Sequence, residues 1–152
     1  MSAIQIVPVH GGLDAPVNRV VAISNRNAFL QEASALPSAV VTTADLSTVH
    51  RIADGTLSPL EGPMGKAEWH QVLDEERIER GGKSYAWTIP LSFPISEEEA
   101  GAITAGGSVA IRDEGGNAVA IVDEAEVFDY DKNKYVSGVY GTDRFDHPGG
   151  RM

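Results

Sequence analysis

Cysteine is absent from the 152-residue chain, which excludes a disulfide framework, a thiolate metal site and a cysteine nucleophile, and leaves the redox compartment open. No apolar run approaches the roughly 20 residues that a membrane helix needs, and Met1-Ser2-Ala3-Ile4-Gln5 has neither the basic region nor the apolar stretch of a signal peptide. A soluble, cytoplasmic protein without a membrane partner is expected. Positive charge is scarce: 12 Lys and Arg stand against 22 Asp and Glu, for a net charge of −10. Such a field repels polyanions, and the basic residues are scattered among acids rather than gathered in a stripe, so nucleic acid is a poor partner. With 42% hydrophobic residues, the length suits one domain with a true core, taken as 1–152.

Periodicity and punctuation divide the chain into short elements. Ile4-Gln5-Ile6-Val7 alternates like a strand that Pro8 stops. Ala28, Phe29, Ala33 and Leu36 fit a helix over 25–36 that Pro37 ends. A strand is expected over 39–42. Leu46, Val49, Ile52 and Ala53 follow at helical spacing behind the capping candidates Thr43 and Asp45, and Gly55 closes that helix. Trp69, Val72 and Leu73 share one face of a helix over 66–77, and the mixed-charge run 74–80 reads as its solvated end. A β-rich run over 85–91 contains Pro90, which places it at an edge or a bend. Ser96 and Glu99 form a capping box for a helix ended by Gly106-Gly107. Residues 108–113 and 118–122 flank a hairpin turn, Glu114-Gly115-Gly116-Asn117. Further strands are expected over 126–130 and 135–140. The pattern predicts an α+β fold, a small, partly closed mixed β-barrel with short helices packed on it.

Chemical motifs are sparse. Gly62-Pro63-Met64-Gly65-Lys66 fails the spacing of a phosphate loop, because Leu60 and Ala67 occupy the positions of the required glycine and hydroxyl residue, and Pro63 removes an amide. Asp129-Tyr130-Asp131-Lys132-Asn133 alternates like a calcium loop, but Lys134 and Tyr140 stand where glycine and glutamate are needed, so a polar turn is expected. His10, His50, His70 and His147 contain no closely spaced ligand pair. Serines are many, yet no Gly-x-Ser-x-Gly elbow is present. No catalytic, cofactor-binding or metal-ligating residue is assigned.

A series of landmarks nevertheless runs through nearly the whole chain. Pro8-Val9-His10-Gly11-Gly12 is followed by Val17-Asn18-Arg19, Leu36-Pro37-Ser38, Asp54-Gly55, Ser58-Pro59-Leu60-Glu61-Gly62-Pro63-Met64-Gly65, Ile89-Pro90-Leu91, Val109-Ala110-Ile111-Arg112-Asp113, Tyr140-Gly141-Thr142-Asp143 and His147-Pro148-Gly149. In this order they resemble the N-terminal, PUA-like domain of ATP sulfurylase (sulfate adenylyltransferase). Pro63 departs from the family pattern, in which an aromatic is usual, and Gly150 stands where an aliphatic residue would lead into a catalytic domain.

The resemblance implies a context in sulfur metabolism, where the parent nucleotidyltransferase makes adenosine 5′-phosphosulfate and pyrophosphate from ATP, with Mg, and sulfate. The family's catalytic segments, Gln-x-Arg-Asn-Pro, His-x-x-His and Gly-Arg-Asp, lie downstream of this domain, and none occurs in this sequence. Stabilising a transition state between ATP and sulfate demands convergent cationic groups, and this chain has no cationic cluster. It is therefore expected to have no sulfurylase activity and no cofactor of its own. Its implied role is structural, bracing a sulfurylase catalytic domain in cis or in trans or joining a homo-oligomer, with Pro59, Leu60, Met64, Tyr140, His147 and Pro148 as the candidate interface. The alternative is a free-standing PUA-like module that binds RNA or a small ligand, with His10 and His147 as its one candidate polar pair. An apolar patch near the C-terminus would favour the structural role.

Overall fold

The computed structural model describes residues 8–144 and Asp146; the strand expected over 4–7 lies outside them. A 3-10 turn, Ile23–Asn25, leads into α1 (Arg26–Ala35), and Leu36 is already extended before Pro37. After β1 (Ser38–Val40) comes α2 (Thr43–Ala53). Its cap is Thr42, not Thr43 or Asp45: the Thr42 hydroxyl accepts the Asp45 amide at 3.2 Å and donates to the Asp45 carboxylate at 2.7 Å. The chain continues through α3 (Lys66–Glu75), β2 (Arg77–Arg80), β3 (Lys83–Ala86), α4 (Glu97–Ala102), β4 (Val109–Arg112), β5 (Ala118–Val122) and α5 (Lys132–Tyr140).

The β-run expected over 85–91 is a strand only to Ala86, α4 ends at Ala102 rather than at Gly106-Gly107, and the assignments over 74–80, 126–130 and 135–140 are corrected. The charged run 74–80 does not prolong α3; Glu76 adopts a left-handed conformation with φ of 53° and turns the chain into β2, where Ile78 is wholly buried and Arg77 and Glu79 form an ion pair. Residues 135–140 form helix α5 rather than a strand, because Asp131 caps the amides of Asn133 and Lys134. Residues 126–130 are irregular. The capping box of α4 forms as expected, and Glu99 does more. One carboxylate oxygen accepts from the amide and hydroxyl of Ser96, and the other accepts from the Val40 amide on edge strand β1 at 2.7 Å.

Strand order β1-β4-β5 makes one sheet, with β1 parallel to β4 and β4 antiparallel to β5; β2 and β3 make a separate antiparallel pair. The fold is α+β, and among the described residues these strands do not close into a barrel. Each sheet organises its own core. Ala39, Val41, Val49, Val109 and Ile111 pack between the three-stranded sheet and α2. Leu60, Met64, Trp69, Val72 and Ile78 pack between the 58–65 loop, α3 and β2.

Candidate functional site

The landmarks at 10–12, 17–19 and 54–55 converge on the loop 58–65. Ser58 is buried; its hydroxyl donates to the Gly55 carbonyl at 2.6 Å and accepts the Val17 amide at 2.9 Å. Arg19 donates its amide to Ala53 and forms an ion pair with Glu61. Gly55, at φ of 85°, lies so close to Val17 that a Cβ would stand 2.2 Å from its carbonyl oxygen, and a Cβ on Gly11, at φ of 82°, would overlap the Pro59 ring. Both positions need glycine because a left-handed backbone and the lack of space act together. His10 extends the knot, its ring against Tyr85 and its Nε2 2.9 Å from the Ala86 carbonyl.

The loop does not present a free helix N-terminus to a phosphate. The first helical amide of α3, on Lys66, donates to Glu126 at 2.9 Å, so the chain's own carboxylate takes the place an anion would use. Among the described residues, no group of three His, Asp or Glu side chains could hold a metal ion, and no helix is long and apolar enough to cross a membrane.

The candidate interface residues fall into three groups. Pro59, Leu60 and Met64 are buried in the chain's own core. Tyr140 is half-buried, with its ring 6.2 Å from that of Tyr135. His147 and Pro148 lie outside the described residues, as does the pairing of His10 with His147. The accessible part of the loop is Glu61 to Pro63, which forms one rim of a groove of about 630 Å³. The same groove is lined by Val20, Val21, Ile23 and Leu30, all exposed, with Ile23 at 94%. Sequence reasoning missed these four, although Val20-Val21-Ala22-Ile23 is an apolar run belonging to no expected element.

A second groove, of about 470 Å³, opens where the two cores meet. Trp69, Phe128, Tyr130 and Tyr135 contribute to its wall, with Trp69 stacked on Tyr135 at 5.8 Å and 5.5 Å from Tyr130. Burial, with Tyr140 and Tyr130 close by, pushes the Tyr135 phenol up to about 12.

The model of the PUA-like domain matches residues 7–152. The chain belongs to the PUA-like domain family. This PUA-like domain is 49% identical to a sulfate adenylyltransferase from Pyropia yezoensis over 97% of its own length and 34% of that protein's. Sulfate adenylyltransferases from Cenarchaeum symbiosum and Symbiobacterium thermophilum are 39% and 36% identical, over 78% and 98% of this chain and 30% and 36% of theirs. The chain thus spans about a third of the length of these curated relatives. Among solved structures, the hexameric APS kinase from Thiobacillus denitrificans superposes with a TM-score of 0.69 at 24% identity, covering 82% of this chain and 24% of that one, a likeness of fold alone.

Proposed function

We propose that this PUA-like domain is the non-catalytic packing module of a sulfate adenylyltransferase, and that its work is to seat a catalytic part, in cis or in trans, without contributing a group to the transfer between ATP and sulfate. The observation that carries this reading is the exposed apolar face of Val20, Val21, Ile23 and Leu30 beside the loop 58–65. Apolar side chains gathered along one groove cost free energy in water and mark a surface that another body covers. Relatives about three times as long carry further chain, and on this reading that chain is what covers the face. The loop's part in the interface is indirect: Pro59, Leu60 and Met64 anchor it in the core, which fixes Glu61 to Pro63 as a rigid rim.

The test is a chimaera in which this chain replaces the matched third of the Pyropia yezoensis enzyme. It should release pyrophosphate from ATP and sulfate, the isolated chain should not, and Ile23→Asp with Leu30→Asp should lower the thermal midpoint of the chimaera while leaving that of the isolated chain nearly unchanged. Turnover by the isolated chain, or a chimaera indifferent to the two aspartates, would refute the reading.

A further inference from the structure

We infer that the groove between the two cores is a docking site for an extended protein segment bearing arginine or lysine. This goes beyond the packing role and rests on different residues. The groove's wall is aromatic, from Trp69, Phe128, Tyr130 and Tyr135, and its floor is aliphatic, including Ile103, Val109 and Ile111. The charge around it has one sign. Asp45, Asp123, Glu124, Glu126 and Asp129 line it, and no Lys, Arg or His does.

Those two properties together select the occupant. An apolar ligand would bury carboxylates without compensation, and an anion such as sulfate or a nucleotide would be repelled by all five. A long cationic side chain satisfies both, because its methylene stem lies on aromatic surface while its head group meets the carboxylates and the faces of the rings. A divalent metal is a poor fit, since the described acids nowhere cluster closely enough to hold one; the negative charge is spread along the groove, as suits a peptide rather than a point ion. Two of the five carboxylates are engaged, Asp45 by the Thr42 hydroxyl and Asp123 by that of Ser108, and the other three are available. Among the described residues, Asp129 and Glu124 have no hydrogen-bond or ion-pair partner, and Glu126 uses only one oxygen, on Lys66. Tyr130, 44% exposed, offers its ring at the mouth.

The chain carries its own reporters. Of its two tryptophans, Trp69 lines the groove, while Trp87 lies outside it with its indole N–H bonded to the Ile89 carbonyl. The experiment titrates the isotopically labelled chain with the capped peptide Gly-Arg-Gly-Arg-Gly, with the same peptide carrying citrulline in place of arginine, and with spermidine. The expected result is a saturable shift of the Trp69 indole and Tyr130 amide with the arginine peptide, little change at Trp87, and at least threefold weaker binding of the citrulline peptide. Asp129→Asn, which removes charge without breaking an internal hydrogen bond, should weaken the arginine peptide about threefold, and Tyr130→Ala by a similar factor. The amide spectrum of each variant reports whether its fold is intact. Equal binding of the citrulline peptide, equal binding of spermidine, shifts scattered over the acidic surface, or an Asp129→Asn variant that binds unchanged would each overturn the inference.

Discussion

At Gly55 the left-handed backbone and the contact with Val17 leave no space for a side chain. Gly55→Ala should destabilise the chain by roughly 2–3 kcal/mol, combining strain at positive φ with a backbone clash, and thermal unfolding would measure it. Gly62, with nothing within 4 Å of its would-be Cβ, is the control: alanine there should change the midpoint little. Glu99 gives a pH signature. Hydrogen bonds from the Ser96 amide, and further ones from the Ser96 hydroxyl and the Val40 amide, hold its carboxyl below its ordinary 4.5. Because the folded value is depressed, the stabilisation is complete above the unfolded value and disappears as pH falls through the folded one. Glu99→Gln should therefore cost about 1 kcal/mol near neutral pH and flatten the loss of stability below pH 4.5, as urea titrations across that range would reveal.

Among the elements, those whose ends carry a local chemical signal were readable. Pro37, Gly55 and the Ser96–Glu99 box each mark a boundary that the backbone obeys. Strand β2 was hidden because its alternation is written in charge: Arg77 and Glu79 point outward, and a single buried Ile78 carries the inward face. Helix α5 was hidden because Tyr135, Val136, Val139 and Tyr140 are β-formers by propensity, overridden by the Asp131 cap and by packing against α3, where Gly138 sits against Leu73. Asp131→Ala should accordingly cost about 1 kcal/mol and reduce helical circular dichroism. The two grooves were less legible still, because Trp69 meets Tyr130 and Ile23 shares a groove with Glu61 to Pro63 only through tertiary folding.

For the molecule as a whole, the contrast lies between a net charge of −10 and a local apolar face. Charge opposes the association of copies, and under the proposed function the groove beside Ile23 is where a covering surface docks. Ile23→Ser should leave the thermal midpoint of the isolated chain within about 0.5 kcal/mol of the original, while lowering the binding of a hydrophobic dye and the light scattering of concentrated solutions in high salt. Family membership could be read from the ordered landmarks, several of which lock together in the fold: Gly11 on Pro59, Val17 on Ser58 and Arg19 on Glu61.

The parallel pairing of Ser38 with Ala110 and Val40 with Arg112 bears on how the chain is made. Strand β1 leaves the ribosome long before its partner β4 has been translated, and until then its backbone has only water or a chaperone to satisfy it. The second core can begin to gather earlier, since Leu60, Trp69, Val72 and Ile78 are near neighbours in sequence. Neither core is complete until the last third of the chain is made, since β4 and β5 close the sheet and Phe128 and Tyr135, later still, pack on Trp69, so both wait on a long chain closure.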